Sequence, residues 1–252
     1  MRRLLRRLSG DQRDAAAAEV SASFSDLEAG ILERVRPYTL TSAERLIALM
    51  DATSYVVRRD IPGALVECGV WRGGSVLATI EVLLSRGVTD RDVYLYDTFE
   101  GMTRPSEADT SPFEKERSAL ASWTRSERQG RRPWEWAFRP EIFSLEQVRD
   151  VLEKTGYPPE RIHFVVGPVE ETLPAQVPDR IALLRLDTDW YESTKHELVH
   201  LYPLLSEKGV LIIDDYGHWD GARRAVDEYF ASAAAPLLLS RVDYTARMGV
   251  KG

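Results

Sequence analysis

Three acidic side chains end two short apolar runs: Asp187 follows Ile181 to Leu186, and Asp214 and Asp215 follow Val210 to Ile213. Read as parallel strands, these runs turn their carboxyl ends toward the crevice in which open α/β sheets bind ligands. Carboxylates crowded there repel one another unless a cation or a proton intervenes, and an all-oxygen set suits a hard ion such as Mg²⁺. The alternative is local. Asp187 and Asp189 then cap the next helix, and Asp214 and Asp215 shape a turn.

A second group surrounds Gly69, where Glu67-Cys68-Gly69-Val70-Trp71-Arg72-Gly73-Gly74-Ser75 joins a predicted strand to a helix starting near Ser75. Glycines at such a turn let a ligand approach the backbone, and the helix offers it free N–H groups. The spacing Gly-x-x-x-Gly-Gly departs from the dinucleotide fingerprint Gly-x-Gly-x-x-Gly, so the turn alone is weak evidence. Asp97, at the end of the next strand, strengthens it, because a carboxylate there can accept both hydroxyls of a ribose. Otherwise Asp97 only turns the chain toward Thr98.

Other patterns point elsewhere and are outweighed. His196-Glu197-Leu198-Val199-His200 spells His-Glu-x-x-His, a zinc-protease pattern. At about 100° per residue, however, Thr194, Leu198, Leu201, Tyr202 and Leu205 make the apolar face, which sends both histidines to solvent. Cys68 reads as a small packed side chain, and Ser75 lacks the Gly-x-Ser-x-Gly elbow of a hydrolase. Trp123, Trp134, Trp136 and Phe138 lie among arginines, but Gly101 to Gln147 balances eight basic with eight acidic residues. A lid forming an apolar acceptor pocket fits that stretch better than a nucleic-acid surface.

These residues need a scaffold of alternating strands and helices. Strands are predicted at Ala64 to Glu67, Val93 to Tyr96, Ile162 to Val166, Ile181 to Leu186 and Val210 to Ile213, with Leu237 to Val242 and Thr245 to Val250 as a closing pair. Helices cover both faces, one of them at Gly221 to Ala231, and the fold class is a doubly wound, mostly parallel α/β sheet. Thr41 and Glu44 stand at capping-box spacing before an earlier helix. The exception is Gly101 to Gln147, too long for an idle connection. Met1 to Val20 carries five arginines and few large apolar residues, which reads as a frayed start or, alternatively, an oligomerisation arm.

Length and composition set the outer bounds. With 252 residues, 44% hydrophobic and 29% charged, the chain is an ordinary globular protein with no stretch approaching the roughly 18 apolar residues of a membrane span. Its net charge of −7 repels a phosphate backbone, so nucleic acid is not an expected partner. A single cysteine and no apolar signal segment place it in the cytoplasm.

Taken together, the motifs resemble the macrocin and mycinamicin sugar O-methyltransferases, the TylF/MycF family of S-adenosylmethionine-dependent enzymes. The likeness runs from about Thr41 to Lys251. It rests on Val66-Glu67-Cys68-Gly69-Val70-Trp71-Arg72-Gly73-Gly74-Ser75, Tyr96-Asp97-Thr98-Phe99-Glu100-Gly101-Met102, Gly167-Pro168-Val169-Glu170-Glu171-Thr172-Leu173-Pro174, Arg185-Leu186-Asp187-Thr188-Asp189 and Ile213-Asp214-Asp215-Tyr216. The resemblance implies a class I methyltransferase sheet, with an amino-terminal arm and helices over residues 1–60, the methyltransferase domain over 61–252 and a lid at about 101–147. It further implies that Glu67, Gly69, Trp71, Gly73, Gly74 and Ser75 hold the amino-acid end of S-adenosylmethionine, that Asp97, with Thr98, Phe99 and Gly167, holds its nucleoside, and that Asp187, Asp214 and Asp215 bind Mg²⁺, Asp187 also being the general base. The expected partner is a small-molecule hydroxyl acceptor, and the enzyme is expected to be a homo-oligomer, a dimer or higher. Arg104 to Phe138 departs from the macrolide-sugar enzymes, so the acceptor is not read from that stretch. A metal-dependent hydrolase using the same aspartates and a non-catalytic cofactor-binding protein are the two rival classes.

Overall fold

Short runs of β-branched and aliphatic residues build a seven-stranded sheet in the order β3-β2-β1-β4-β5-β7-β6. In this computed structural model, which describes residues 24–232 and 237–252, β1 (Ala64–Cys68), β2 (Val93–Asp97), β3 (Ile162–Val166), β4 (Ile181–Leu186) and β5 (Leu205–Ile213) pair in parallel. The edge strands β6 (Ser240–Arg241) and β7 (Arg247–Val250) run antiparallel. This is the predicted mostly parallel sheet with its closing pair. Every residue of β1 and β4 is buried, as central strands covered on both faces must be.

Two apolar layers cover the sheet. On one face α1 (Asp26–Val35), α2 (Ala43–Arg58) and α3 (Gly74–Ser85) bring Ile31, Leu49, Val56 and Ile80 against Leu65, Leu95 and Leu183. On the other, α7 (Tyr191–His200) and α8 (Asp220–Ser232) pack on each other and bring Leu198 and Val226 against Val66, Leu184 and Leu211. The insert carries α4 (Ala119–Arg128) and the start of α5 (Leu145–Glu153), and the single turn α6 (Val169–Thr172) follows β3. No described helix is long and apolar enough to cross a membrane.

Several boundaries shift for local reasons. The cap of α2 is Ser42, whose hydroxyl accepts from the Arg45 N–H, and not Thr41, so the expected Thr41–Glu44 box does not form. Strand β5 starts at Leu205, five residues before the predicted Val210, because the register slips between Ile181 and Leu183 of β4 and absorbs the extra length. The closing strands are shorter than predicted. Asp243 accepts from the N–H groups of Thr245 and Ala246 and turns the chain there, so that Val242 and Ala246 keep one backbone bond at 3.1 Å within the turn and the paired strands stop at Arg241 and Arg247. The basic opening, Met1 to Val20, lies outside the described residues.

The chain leaves β1 toward β2 and β3 and later returns to β4 on the other side, so the crevice opens between the carboxyl ends of β1 and β4. There the Asp187 N–H donates to the Cys68 carbonyl at 2.8 Å, drawing the two strand ends together over Gly69. Gly69 has a φ of +80°, and a Cβ on it would overlap the Asp187 carbonyl. Gly69→Ala is therefore expected to cost roughly 3 kcal/mol or more in urea unfolding, through overpacking and left-handed strain together. An unchanged midpoint would mean that the strand ends separate without penalty.

Candidate active site

The loops at the carboxyl ends of the strands enclose a cavity of about 550 Å³, within the usual size of a small-molecule site. Its floor is acidic. Asp187, Asp214 and Asp215 each turn one carboxylate oxygen into a common space, these atoms lying within 4.8 Å of one another. Asp189 lines the same cavity, with Oδ1 accepting from the Trp219 indole N–H at 2.7 Å.

Burial raises the pKa of Asp187, Asp189 and Asp215, that of Asp189 to about 7, and their mutual charge adds to the effect. Two arginines answer it. Arg185, near the carboxyl end of β4 and 2% exposed, pairs with Glu67 at 2.7 Å, with Asp187 at 2.8 Å and with Asp214 at 2.6 Å. Burial works against its charge, but these three carboxylates more than reverse that and raise its pKa. Arg45 of α2 pairs with the other oxygen of Asp214 and, at 3.3 Å, with Asp243. Burial would also push Asp214 up, yet the two guanidinium groups hold it below the usual carboxylate range.

One acceptor of this floor remains without a partner among the described residues. Asp215 Oδ2 is buried and makes no hydrogen bond. An orphaned carboxylate oxygen costs free energy unless something cationic or protonated meets it. With three oxygens converging on one point, the donor set fits a hard divalent cation.

The opposite end of the cavity belongs to the glycine turn. Asp97 Oδ2 accepts from the N–H groups of Val70 at 2.7 Å and Trp71 at 3.0 Å, and Oδ1 accepts from Phe99 at 2.7 Å. Asp97 thus does shape the chain, as the local reading of it held, and it also lines the cavity beside Gly69, Trp71, Ser75, Thr98 and Gly167. Glu67, Gly73, Gly74 and Phe99 do not line it. Glu67 is buried behind Ser75, whose hydroxyl donates to it. Gly74 admits the Tyr38 carbonyl, which a Cβ would meet at 2.6 Å, so its small size seats the segment before α2.

The insert supplies the remaining wall. Trp134, Trp136 and Phe138 face the cavity, and the insert is tied down by indole N–H groups, that of Trp71 to the Ala137 carbonyl at 2.8 Å and that of Trp190 to Thr103 at 3.0 Å. Cys68 is buried and burial pushes its thiol up, which suits a packed side chain. His196 and His200 are half-buried rather than free in solvent, their rings 4.4 Å apart, because α7 lies close enough to Leu173 for its carbonyl to meet His196 Nε2 at 3.4 Å. The reading of that helix missed Glu197. It is fully buried, accepts from Thr188 Oγ1 at 2.9 Å and is pushed well up by burial. The signal was available, since 194, 197, 198 and 201 share one helical face.

Compared with known families, residues 6–248 match the macrocin O-methyltransferase (TylF) family. The chain belongs to the TylF family. It is 36% identical over 208 residues to the 8-demethyl-8-(2,3-dimethoxy-alpha-L-rhamnosyl)-tetracenomycin-C 4'-O-methyltransferase of Streptomyces olivaceus, covering 82% of this chain and 73% of that one. It is 32% identical to the mycinamicin III 3''-O-methyltransferase of Micromonospora griseorubida, covering 76% of this chain and 70% of the relative. The solved O-methyltransferase NovP superposes with a TM-score of 0.70 at 29% identity, over 85% of this chain and 82% of that one. The protein is accordingly an O-methyltransferase of the class I fold, which decides against the hydrolase and non-catalytic readings.

In a TylF-family chain with this floor, Arg185 is the group whose loss should be felt most widely. Arg185→Met leaves three carboxyls without their shared partner and is expected to cost about 3–5 kcal/mol at pH 8. Arg45 still pairs with Asp214, but burial of Glu67 and Asp187 then goes unopposed by Arg185 and lifts their folded pKa values further above the unfolded ones, so folding takes up protons and the variant regains stability as pH falls from 8 toward 5.5. Thermal unfolding across that range checks both, and a deficit independent of pH would remove the charge from the explanation.

Proposed function

We propose that this enzyme moves a methyl group from S-adenosylmethionine to a hydroxyl on the sugar moiety of a natural product, with Mg²⁺ at Asp187, Asp214 and Asp215. One juxtaposition carries the reading: the orphaned Asp215 oxygen and its two aspartate neighbours share a single cavity with the Gly69 turn and Asp97. The names of the relatives point the same way, one being the 4'-O-methyltransferase of a rhamnosyl tetracenomycin and another a 3''-O-methyltransferase of mycinamicin III.

At the donor end, Asp97 accepts two backbone N–H bonds at Oδ2 and one at Oδ1, so Oδ1 keeps a lone pair for a ribose hydroxyl. Ser75, oriented by Glu67, and the turn at Gly69 and Trp71 hold the amino-acid end, while Thr98 and Gly167 flank the nucleoside. Gly73, Gly74 and Phe99 support this wall from behind. S-adenosylmethionine supplies an electrophilic methyl on a sulfonium, so the residues have two tasks, to keep the acceptor oxygen in line with that carbon and to take its proton. Among the three floor aspartates Asp187 suits the second task, because a quarter of its side chain is open to the cavity while Asp214 and Asp215 are buried. Asp189 is a second carboxylate on the same wall, steadied by Trp219. Bound Mg²⁺ supplies Lewis acidity that eases ionisation of the acceptor hydroxyl near neutral pH.

Asp187→Asn is expected to lower methyl transfer by at least about 10²-fold while leaving the affinity for S-adenosylhomocysteine unchanged, with Asp189→Asn falling less. EDTA should silence the native enzyme and Mg²⁺ restore it. Indifference to EDTA, or normal turnover by Asp187→Asn, would overturn the metal-and-base mechanism. At the other end, Asp97→Ala loses a hydrogen bond to a charged acceptor worth about 1.5–3 kcal/mol, so calorimetric titration should show at least about tenfold weaker S-adenosylmethionine binding. An unchanged dissociation constant would sink the ribose assignment.

A further inference from the structure

Three buried side-chain atoms among the described residues meet no hydrogen-bond partner: Asp215 Oδ2 on the floor, Trp123 Nε1 in the insert and Glu197 Oε2 on α7. The last belongs to a group that the proposed mechanism leaves unused. Glu197 has no exposed surface. Its neighbours are the Thr188 hydroxyl, the Cys68 thiol and the acids Glu170 and Asp187, with no cation among them. Burial in such company pushes its carboxyl well up and keeps it neutral. Even a neutral carboxyl costs free energy there, so the reason for its presence has to lie in the bond that it does make.

That bond goes to the turn after β4. Glu197 Oε1 accepts from Thr188 Oγ1 at 2.9 Å, and Thr188 stands between Asp187 and Asp189. The turn is tight, because the Trp190 N–H closes on the Thr188 carbonyl at 2.8 Å with Asp189 at a φ of +67°. A three-residue turn with a positive central φ is rare and strained, and such backbone persists only where its surroundings over-determine it. Here the Asp187 N–H ties the upstream side to the Cys68 carbonyl, the Trp219 indole ties Asp189 Oδ1, and Ser193 Oγ reaches the Thr188 carbonyl at 3.4 Å. Among the described residues the Thr188 hydroxyl is taken by Glu197 alone. Glu197 rides on a helix whose next residue, Leu198, is fully buried in the core, so the turn is referred to a rigid element.

We propose that Glu197 is a positioning residue of the acidic floor: its bond to Thr188 fixes the turn that carries Asp187, and so sets the oxygen geometry that Mg²⁺ meets. This rests on the reading of Asp187, Asp214 and Asp215 as a Mg²⁺ site. Because Mg²⁺ demands near-ideal octahedral geometry, a small displacement of one carboxylate is enough to weaken its binding. The bond needs an acceptor and not a charge. A glutamine amide offers a carbonyl oxygen at the same reach, and a leucine offers none.

The test is calorimetric titration of Mg²⁺ alone into the protein loaded with S-adenosylhomocysteine, beside thermal unfolding of each variant. Glu197→Leu and Thr188→Val should each weaken Mg²⁺ binding by about tenfold or more, as loss of a group that orients a metal's ligands does, with the S-adenosylhomocysteine affinity unchanged. Glu197→Gln should keep the native Mg²⁺ affinity. The double variant Glu197→Leu/Thr188→Val should lose no more than either single one, because both remove one bond. Should Glu197→Leu fail to fold, Thr188→Val removes the same bond at similar volume and decides alone. Native Mg²⁺ affinity in Thr188→Val, whatever its melting temperature, overturns the inference and leaves Glu197 a merely structural role. So does a Glu197→Gln variant as weak as Glu197→Leu, or a double variant in which the two losses multiply. A native protein that takes up no Mg²⁺ overturns the reading of the floor itself, and the inference falls with it, which separates the two failures.

Discussion

A single buried guanidinium holds the acidic floor of the cavity together. Arg185 reaches Glu67 on β1, Asp187 beyond the end of β4 and Asp214 beyond the end of β5, so it bridges three adjacent strands at the point where the chain changes direction. Glu67 and Asp214 are out of water, Asp187 is largely covered, and each lies close to another acid, so none would readily keep its charge there alone. The fork geometry of arginine lets one cation serve all three, which a lysine ammonium on a flexible stem does less well. Because Arg185 and Arg45 between them occupy both oxygens of Asp214, while Asp215 Oδ2 receives nothing, the unsatisfied demand of the cluster is concentrated at one atom. That concentration sets the floor apart from an ordinary ion-pair network, in which every acceptor finds a partner.

The same economy governs the turn beside it. Asp97 spends three acceptor positions on the backbone of residues 70, 71 and 99, fixing Trp71 and Phe99 at positive φ values of 46° and 53°. Those conformations are costly for bulky residues and persist only where the surroundings over-determine them. Trp71 in turn uses its indole N–H to hold the insert at Ala137. The turn at Gly69 therefore also anchors the wall that the insert contributes to the cavity.

The sheet and the acidic floor were legible because both follow from periodicity. Strands buried on both faces read as continuous apolar runs, and acids placed just after them must sit at the crevice. Arg185 was legible in principle and was passed over. An arginine inside a strand with no solvent face has to meet buried acids, and Glu67 stands in the neighbouring strand at the register position opposite it. Glu197 hid in the same way behind two histidines that drew attention to a zinc motif. The insert was legible only in composition. Trp134 packs on Trp123 and Trp190, and Trp190 on Trp219, so its partners are scattered along the chain and leave no local period to read.

The glycine turn and the acidic floor of the cavity are joined by one chain of hydrogen bonds and ion pairs, from the Ser75 hydroxyl through Glu67 and Arg185 to Asp187 and Asp214. Every member except Ser75 belongs to a strand of the parallel sheet or directly follows one, where side-chain positions are set by the ladder. In-line displacement demands alignment more than acid strength, so the groups that align the reactants belong on the stiffest part of the fold. The insert and the segment before α2 face no such demand. They lie outside the ladder and can change sequence without moving the floor, so under the proposed function the choice of acceptor falls to the loops and the reaction to the strand ends.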